Sequence, residues 1–151
     1  MNYIGLNKYD TANGDGIRVS LFVSGCTLKC KGCFNPDSHD FNAGKLFTND
    51  ILNEIIAELK KPHIKGFSLL GGDPLEHRIF NDVYNIVKTV KSQVPDKDIW
   101  LWTGRIYDKV KDNRILDYVD VLIDGPFKEN LKDPNLKYRG SSNQNIIFLK
   151  T

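Results

Sequence analysis

The sequence predicts an α/β fold in the form of a partial, open β/α barrel of mostly parallel strands, on three observations. Short runs rich in β-branched and aromatic residues alternate with segments of helical periodicity. Each of the first four runs ends in a polar, glycine-bearing turn. The chain, at 151 residues, is shorter than the ~250 residues of a complete eight-stranded barrel.

The first strand is expected over Ile17 to Ser24, where Ser24-Gly25 ends the run just before Cys26. Thr48 is a helix cap for Ile51, Leu52, Ile55, Ile56 and Leu59, which share one face before Pro62 stops the helix. Gly66 to Leu70 reads as the second strand. Ile79, Phe80, Val83, Ile86, Val87 and Val90 recur at helical spacing until Pro95, and Asp98 to Trp102 is the third strand. A weaker helix is expected around Ile106 to Leu116, a fourth strand over Tyr118 to Ile123 and a last strand over Asn145 to Leu149. Parallel strands joined by right-handed crossovers place their C-terminal ends on one edge. The turns Ser24-Gly25-Cys26, Gly71-Gly72-Asp73-Pro74, Thr103-Gly104 and Asp124-Gly125-Pro126 should therefore converge on one site, leaving one side open to a bulky substrate such as a loop of another protein. With no repeat, low-complexity tract or linker, residues 1–151 are read as a single domain.

Composition narrows the class. Apolar residues make up 40% and charged residues 26%, ordinary for a soluble globule, and a formal net charge of +2 does not indicate nucleic acid or an anionic membrane. No apolar stretch approaches the ~20 residues needed to cross a bilayer. The opening Met-Asn-Tyr-Ile-Gly has neither a basic n-region nor an apolar h-region, so a cytoplasmic setting with reduced cysteines is expected.

All three cysteines, Cys26, Cys30 and Cys33, fall within eight residues. Disulfide frameworks use even counts, and both cuboidal iron-sulfur clusters and structural zinc normally take four protein ligands. Three soft ligands point to a metal group with one open position, where chemistry can occur. A structural zinc site completed by His39, in a binding module, is the alternative. In Gly71-Gly72-Asp73-Pro74 the glycines allow close backbone approach, and carbonyls with the Asp73 carboxylate can grip a ligand ammonium group. The same segment also suits an ordinary tight turn with Pro74 near a helix start. Thr103 and Asp124 are placed to contact a ligand, with turn stabilisation through an Asx-type bond as the other reading of both. Asp10, Asn13 and Asp15 do not match a calcium loop. His63 and His77 read as solvated, and Trp100 and Trp102, on one face of the third strand, as packing residues.

Cys26-Thr-Leu-Lys-Cys30-Lys-Gly-Cys33 after the first strand, followed by Gly-Gly-Asp-Pro after the second, resembles the radical S-adenosylmethionine superfamily. The resemblance implies a 4Fe-4S cluster on Cys26, Cys30 and Cys33. Its open iron would chelate S-adenosyl-L-methionine, with Gly71, Gly72, Asp73 and Pro74 around the methionine amino group. Many members carry an aromatic residue just before the third cysteine, beside the adenine. This chain has Gly32 there, and Phe34 is expected to cover the nucleoside instead. The chain is more closely similar to the activating proteins of anaerobic ribonucleotide reductase, through Asn13-Gly14-Asp15-Gly16-Ile17-Arg18, Leu21 to Cys26, Trp102-Thr103-Gly104, Asp124-Gly125-Pro126-Phe127 and Arg139 to Gln144. Gly14-Asp15-Gly16 departs from that pattern, in which a proline stands between the glycines. The likeness implies an oxidoreductase that generates a glycyl radical on the large reductase subunit. It would need no side-chain acid or base and would draw its electron from a low-potential donor such as reduced flavodoxin. An activator of another glycyl-radical enzyme, such as pyruvate formate-lyase, or a small-molecule enzyme of the deazaguanine type, is the alternative within the superfamily.

Overall fold

The structure is a computed structural model and describes residues 1–33 and 36–150. At its centre is a seven-stranded sheet of β1 (Asn2–Asp10), β2 (Arg18–Val23), β3 (Lys45–Leu46), β4 (Gly66–Gly71), β5 (Asp98–Trp102), β6 (Val121–Asp124) and β7 (Asn145–Phe148). The spatial order is β3-β1-β2-β4-β5-β6-β7. Strands β2, β4, β5 and β6 pair in parallel, with Leu21 beside Leu69 and Leu69 beside Leu101. Antiparallel strands flank them: β1 on β2, β3 on β1 and β7 on β6. The sheet is open, with β3 and β7 at opposite edges.

Helices α1 (Asn49–Leu59) and α2 (Phe80–Gln93) form where their apolar stripes recur. The Thr48 hydroxyl accepts the Ile51 N–H at 3.4 Å, a cap worth about 1 kcal/mol. Both helices cover one face of the sheet. Leu52, Ile55, Ile56 and Leu59 of α1 and Val83, Ile86, Val87 and Val90 of α2 share a core with Val19, Leu21, Val23, Phe67, Leu69, Ile99, Leu101 and Leu122. Each such side chain contributes about 1.5–3 kcal/mol on burial. With one face fully covered, the alternate residues of the same strands are free to build the other.

That second face has a polar floor. The Arg18 guanidinium is fully buried and donates to Ser68 Oγ at 2.7 Å, Asp15 O at 2.9 Å and Phe67 O at 3.0 Å. Its Nη2 lies 2.6 Å from Asp98 Oδ1, an ion pair outside hydrogen-bond geometry, and its plane sits 5.3 Å from the Trp100 ring. Asp10 accepts from Ser20 Oγ, Asn13 Nδ2 and the Ala12 N–H. These bonds fold residues 10–17 under the sheet and explain why the Asp10, Asn13 and Asp15 cluster serves the fold.

Two expectations need correction, and one strand was not expected at all. Strand β1 lacks a period-two pattern because its residues are mostly half-buried or exposed, so the sequence did not announce it. The helix expected around Ile106 to Leu116 is a short α3 (Tyr107–Val110) and a separate 3-10 turn, Arg114–Tyr118. The break falls where Asn113 Oδ1 accepts the Ile115 N–H at 2.9 Å, since an Asn side chain competes with helix continuation. Tyr118 belongs to that turn, and the fourth parallel strand starts at Val121.

Candidate functional site

The four turns predicted to converge do so around a cavity of about 390 Å³. Cys26, Cys30 and Cys33 line it, with Gly71 at the end of β4, Gly72 and Asp73 after it, Thr103 and Gly104 after β5, and Gly125 after β6. Its size falls within the usual range for a small-molecule site. Phe22, Leu70 and Trp102 form the apolar wall from β2, β4 and β5. Trp102 is thus a cavity residue as well as a packing residue, and its Nε1 donates to Tyr138 O at 2.6 Å. Tyr138, Arg139, Gly140 and Gln144 close the side opposite α1 and α2.

The cysteine loop is wound by left-handed residues, Gly25 at φ 111°, Lys29 at 47° and Gly32 at 73°. The Cys33 N–H donates to Cys30 O at 3.1 Å, and Gly25 and Cys26 donate to Ser38 O and His39 O at 2.6 and 3.2 Å. All three thiols are free. Burial pushes the Cys26 thiol up from its ordinary value, and the backbone N–H groups of Lys29 and Leu28, which favour the thiolate, only partly offset this.

Gly71 and Gly72 do more than open space for a ligand. The Gly72 N–H donates to Val23 O and the Asp73 N–H to Gly25 O, both at 2.8 Å. A Cβ on Gly71, whose φ is 116°, would stand 2.5 Å from Val23 backbone atoms, and one on Gly72 would collide with the Gly25 carbonyl. The glycine pair therefore welds the β4 turn to the cysteine loop. Similarly, a Cβ on Gly104 would meet Leu28 Cδ1 at 2.5 Å, and one on Gly32 would meet Glu129 Cδ at 3.1 Å.

The Asp73 carboxylate is fully buried and turned toward protein donors. It accepts from the Leu75 N–H at 2.9 Å, Thr103 Oγ1 at 2.9 Å, the Gly104 N–H at 3.0 Å and Arg105 Nη1 at 2.8 Å. Burial pushes its pKa up against these bonds. The oxygens of this carboxylate are thus engaged by protein donors, and the Thr103 hydroxyl is engaged by the same group, while both residues line the cavity. Pro74 is buried in the turn. Asp124 accepts from the Tyr107 N–H at 2.8 Å and from Asn145 N and Nδ2 at 3.2 and 3.1 Å. These partners lie 17 and 21 residues away, so Asp124 makes no Asx-type turn bond here, and Gly125 lines the cavity beside it. Phe34 lies outside the described residues.

Sequence reasoning missed Arg105 and Glu76. Arg105 Nη2 donates to Glu76 Oε2 at 2.8 Å, and the same oxygen accepts Thr27 N and Oγ1 at 2.9 Å each. One guanidinium thereby joins the turns after β2, β4 and β5. Burial works to raise the Glu76 pKa, but the Thr27 N–H and Arg105 outweigh it and hold the carboxyl below its ordinary value. The available signal was a charge of each sign just past a glycine turn, Arg105 after Thr103-Gly104 and Glu76 after Gly71-Gly72-Asp73-Pro74.

The donor set fits a cuboidal iron-sulfur cluster. Such a cluster takes each thiolate on a different iron, so its ligands ring a cavity, whereas zinc needs four ligands around one point at ~2.0–2.3 Å. Among the described residues, no three or more His, Cys, Asp or Glu converge on a single-ion position. His39 lines a different cavity, against Asp37, Asp40 and Arg78, and of the cysteines only Cys26 reaches it. His63 and His77 are exposed. No helix among the described residues is long and apolar enough to cross a membrane.

A family model described as a 4Fe-4S single cluster domain matches residues 12–147. The chain is 47% identical over 154 residues to the anaerobic ribonucleoside-triphosphate reductase-activating protein of Haemophilus influenzae, with 99% of both chains covered. It is 45% identical over 150 residues to the protein of that name from Vibrio cholerae, with 97% of each covered. The phage T4 protein of that name is 44% identical over 146 residues, covering 97% of this chain and 93% of the relative. Likeness that runs the length of the sheet and takes in every turn around the cysteines is more than a shared motif: the chain belongs to the 4Fe-4S single cluster domain family and to the anaerobic ribonucleoside-triphosphate reductase-activating proteins.

Proposed function

We propose that this chain is a radical S-adenosylmethionine activating enzyme that generates a glycyl radical on the large subunit of anaerobic ribonucleotide reductase. The observation that carries the reading is the meeting of three free cysteines with Gly71, Gly72 and Asp73 on one cavity at the C-terminal ends of parallel strands. Cys26, Cys30 and Cys33 would hold the 4Fe-4S cluster with one iron open, and the cavity would take S-adenosyl-L-methionine beside it. When bound, these groups supply one-electron reductive cleavage and hydrogen abstraction from a glycine Cα of the partner.

The chain's own residues hold, orient and shield. Gly71 and Gly72 bring the β4 turn against the cysteine loop, presenting the Gly71 to Pro74 backbone to the methionine amino group. Asp73 acts behind that backbone through Thr103, Gly104 and Arg105. Phe22, Leu70 and Trp102 keep water from the nucleoside, where Gly32 and Phe34 are assigned as well. The reading takes residues 1–151 as one domain and its open sheet as part of a β/α barrel. It places the protein in the cytoplasm with a low-potential donor such as reduced flavodoxin, and it involves neither nucleic acid nor membrane.

The test is anaerobic reconstitution with iron and sulfide, reduction with dithionite and addition of S-adenosyl-L-methionine. Wild type should yield 5'-deoxyadenosine and methionine, while Cys30→Ala should yield neither and remain folded. A fully reconstituted wild type that forms neither product overturns the reading, as does a fully active Cys30→Ala.

A further inference from the structure

We propose that Glu76 sets the reduction potential of the cluster held by Cys26, Cys30 and Cys33, its buried carboxylate making the bound cluster harder to reduce and so a stronger one-electron donor; the proposal rests on the function given above and deepens it. Glu76 is 4% exposed. Its Oε2 accepts the Thr27 N–H at 2.9 Å, and that amide nitrogen is bonded directly to the Cys26 carbonyl carbon. The Thr27 hydroxyl donates to the same oxygen at 2.9 Å, and Arg105 Nη2 does so at 2.8 Å. The carboxylate therefore stands against the loop that carries all three cysteines. It acts on the cluster through its field and through Thr27, as a positioning residue and not a catalytic one.

The charge around Glu76 is not balanced. Among the described residues Arg105 is the cation paired with it, and the same guanidinium pairs with Asp73 through Nη1 at 2.8 Å, so two buried carboxylates share one positive charge. Asp73 faces only donors, the Leu75 and Gly104 N–H groups, Thr103 Oγ1 and Arg105, as an ionised carboxylate does. One negative charge is left over beside the cysteine loop. Arg105 is also the most exposed of the three side chains, at 24% against 1% and 5%, so water screens the cation more than it screens the acids. A neutral glutamine could accept the Thr27 N–H and fasten the turn as well; a buried carboxylate costs desolvation and adds a field. Reduction places one more electron on a cluster, and a fixed negative charge in a low-dielectric setting opposes it, as net charge and neighbouring hydrogen bonds do in setting such potentials. The proposed reaction needs a strongly reducing cluster, and an excess acid beside Cys26 moves the potential in that direction.

The experiment is an anaerobic redox titration of the reconstituted protein with dithionite, without S-adenosyl-L-methionine, in which electron paramagnetic resonance follows the reduced cluster in wild type, Glu76→Gln, Glu76→Met and Thr27→Val. Glu76→Gln keeps an acceptor for the Thr27 N–H and removes the charge, whereas Thr27→Val removes one hydrogen bond to Glu76 and keeps every charge. At the wild-type midpoint, Glu76→Gln should favour the reduced cluster by about threefold or more, tenfold corresponding to a rise of about 59 mV for one electron. Glu76→Met should move the same way, and Thr27→Val should shift by less than either. A rise smaller than about threefold or a fall in the neutral variants, or an equal shift in Thr27→Val, overturns the proposal while leaving the proposed function intact. Failure of both neutral variants to take up iron does the same, since Glu76 is then a structural support only. A wild type that gives no reduced-cluster signal overturns both.

Discussion

The Arg105 guanidinium reaches Asp73 Oδ2 through Nη1 at 2.8 Å while its Nη2 holds Glu76 at the same distance, so one side chain spans both acids of the β4 turn. Because Glu76 also accepts Thr27, next to Cys26, the pair carries order from the fully buried Asp73 to the cysteine loop. Removing one partner of a buried ion pair costs more than the pair contributes, since a charge is left behind.

Arg105→Ala should therefore destabilise the protein by about 2–3 kcal/mol, below the full buried-pair penalty because the arginine is partly exposed. The denaturant midpoint of the metal-free protein measures this. A loss smaller than about 0.5 kcal/mol, the size of a surface substitution, would show that the bridge does not hold the turn.

Gly72→Ala should separate the β4 turn from the cysteine loop, because the added methyl group meets backbone on the other side. Overpacking of this kind costs about 1–3 kcal/mol. Iron bound per chain after reconstitution should fall, although every cysteine is retained. Iron content equal to wild type would refute the weld between the two turns.

Glu76 links stability to acid. Its carboxyl is held below the ordinary value of 4.5, so the native state binds its proton less readily than the unfolded chain. Its contribution is present above that ordinary value and is lost as pH falls through the lower native one. The stability difference between wild type and Glu76→Gln should be constant from neutral pH down to about 5 and then shrink. A difference that grows on acidification would reverse the assigned sign.

Asp124→Ala should lower stability by about 2 kcal/mol by stripping acceptors from Tyr107 and Asn145. Affinity for S-adenosyl-L-methionine should stay within about twofold of wild type, since Gly125 lines the cavity in its place. A tenfold loss of affinity with unchanged stability would restore Asp124 as a ligand contact.

Much of the molecule was legible before any coordinates. The cap of α1, the stripes of α1 and α2, the four parallel strands and their glycine turns all rest on signals within a few residues, such as Thr48 ahead of Ile51 or Ser24-Gly25 ahead of Cys26. Strand β1 was not legible, because a strand whose residues are mostly half-buried or exposed carries no alternation. The roles of Asp73, Thr103 and Asp124 were open for a different reason. An acid at a strand end suits a ligand or a turn equally well until its donors are known.

The sequence by itself determined the α/β class, the three thiols in a single loop and the glycine turns that meet it, because spacing, periodicity and backbone freedom are properties of neighbouring residues. Only the tertiary structure decided that Asp73 faces inward and that Arg105 ties three turns together. Thr27 and Glu76 are 49 residues apart, and Arg105 and Asp73 are 32. Contacts between residues so distant in sequence exist only once the strands between them have set their register, and the sign and reach of a charge depend on which donors that register brings beside it.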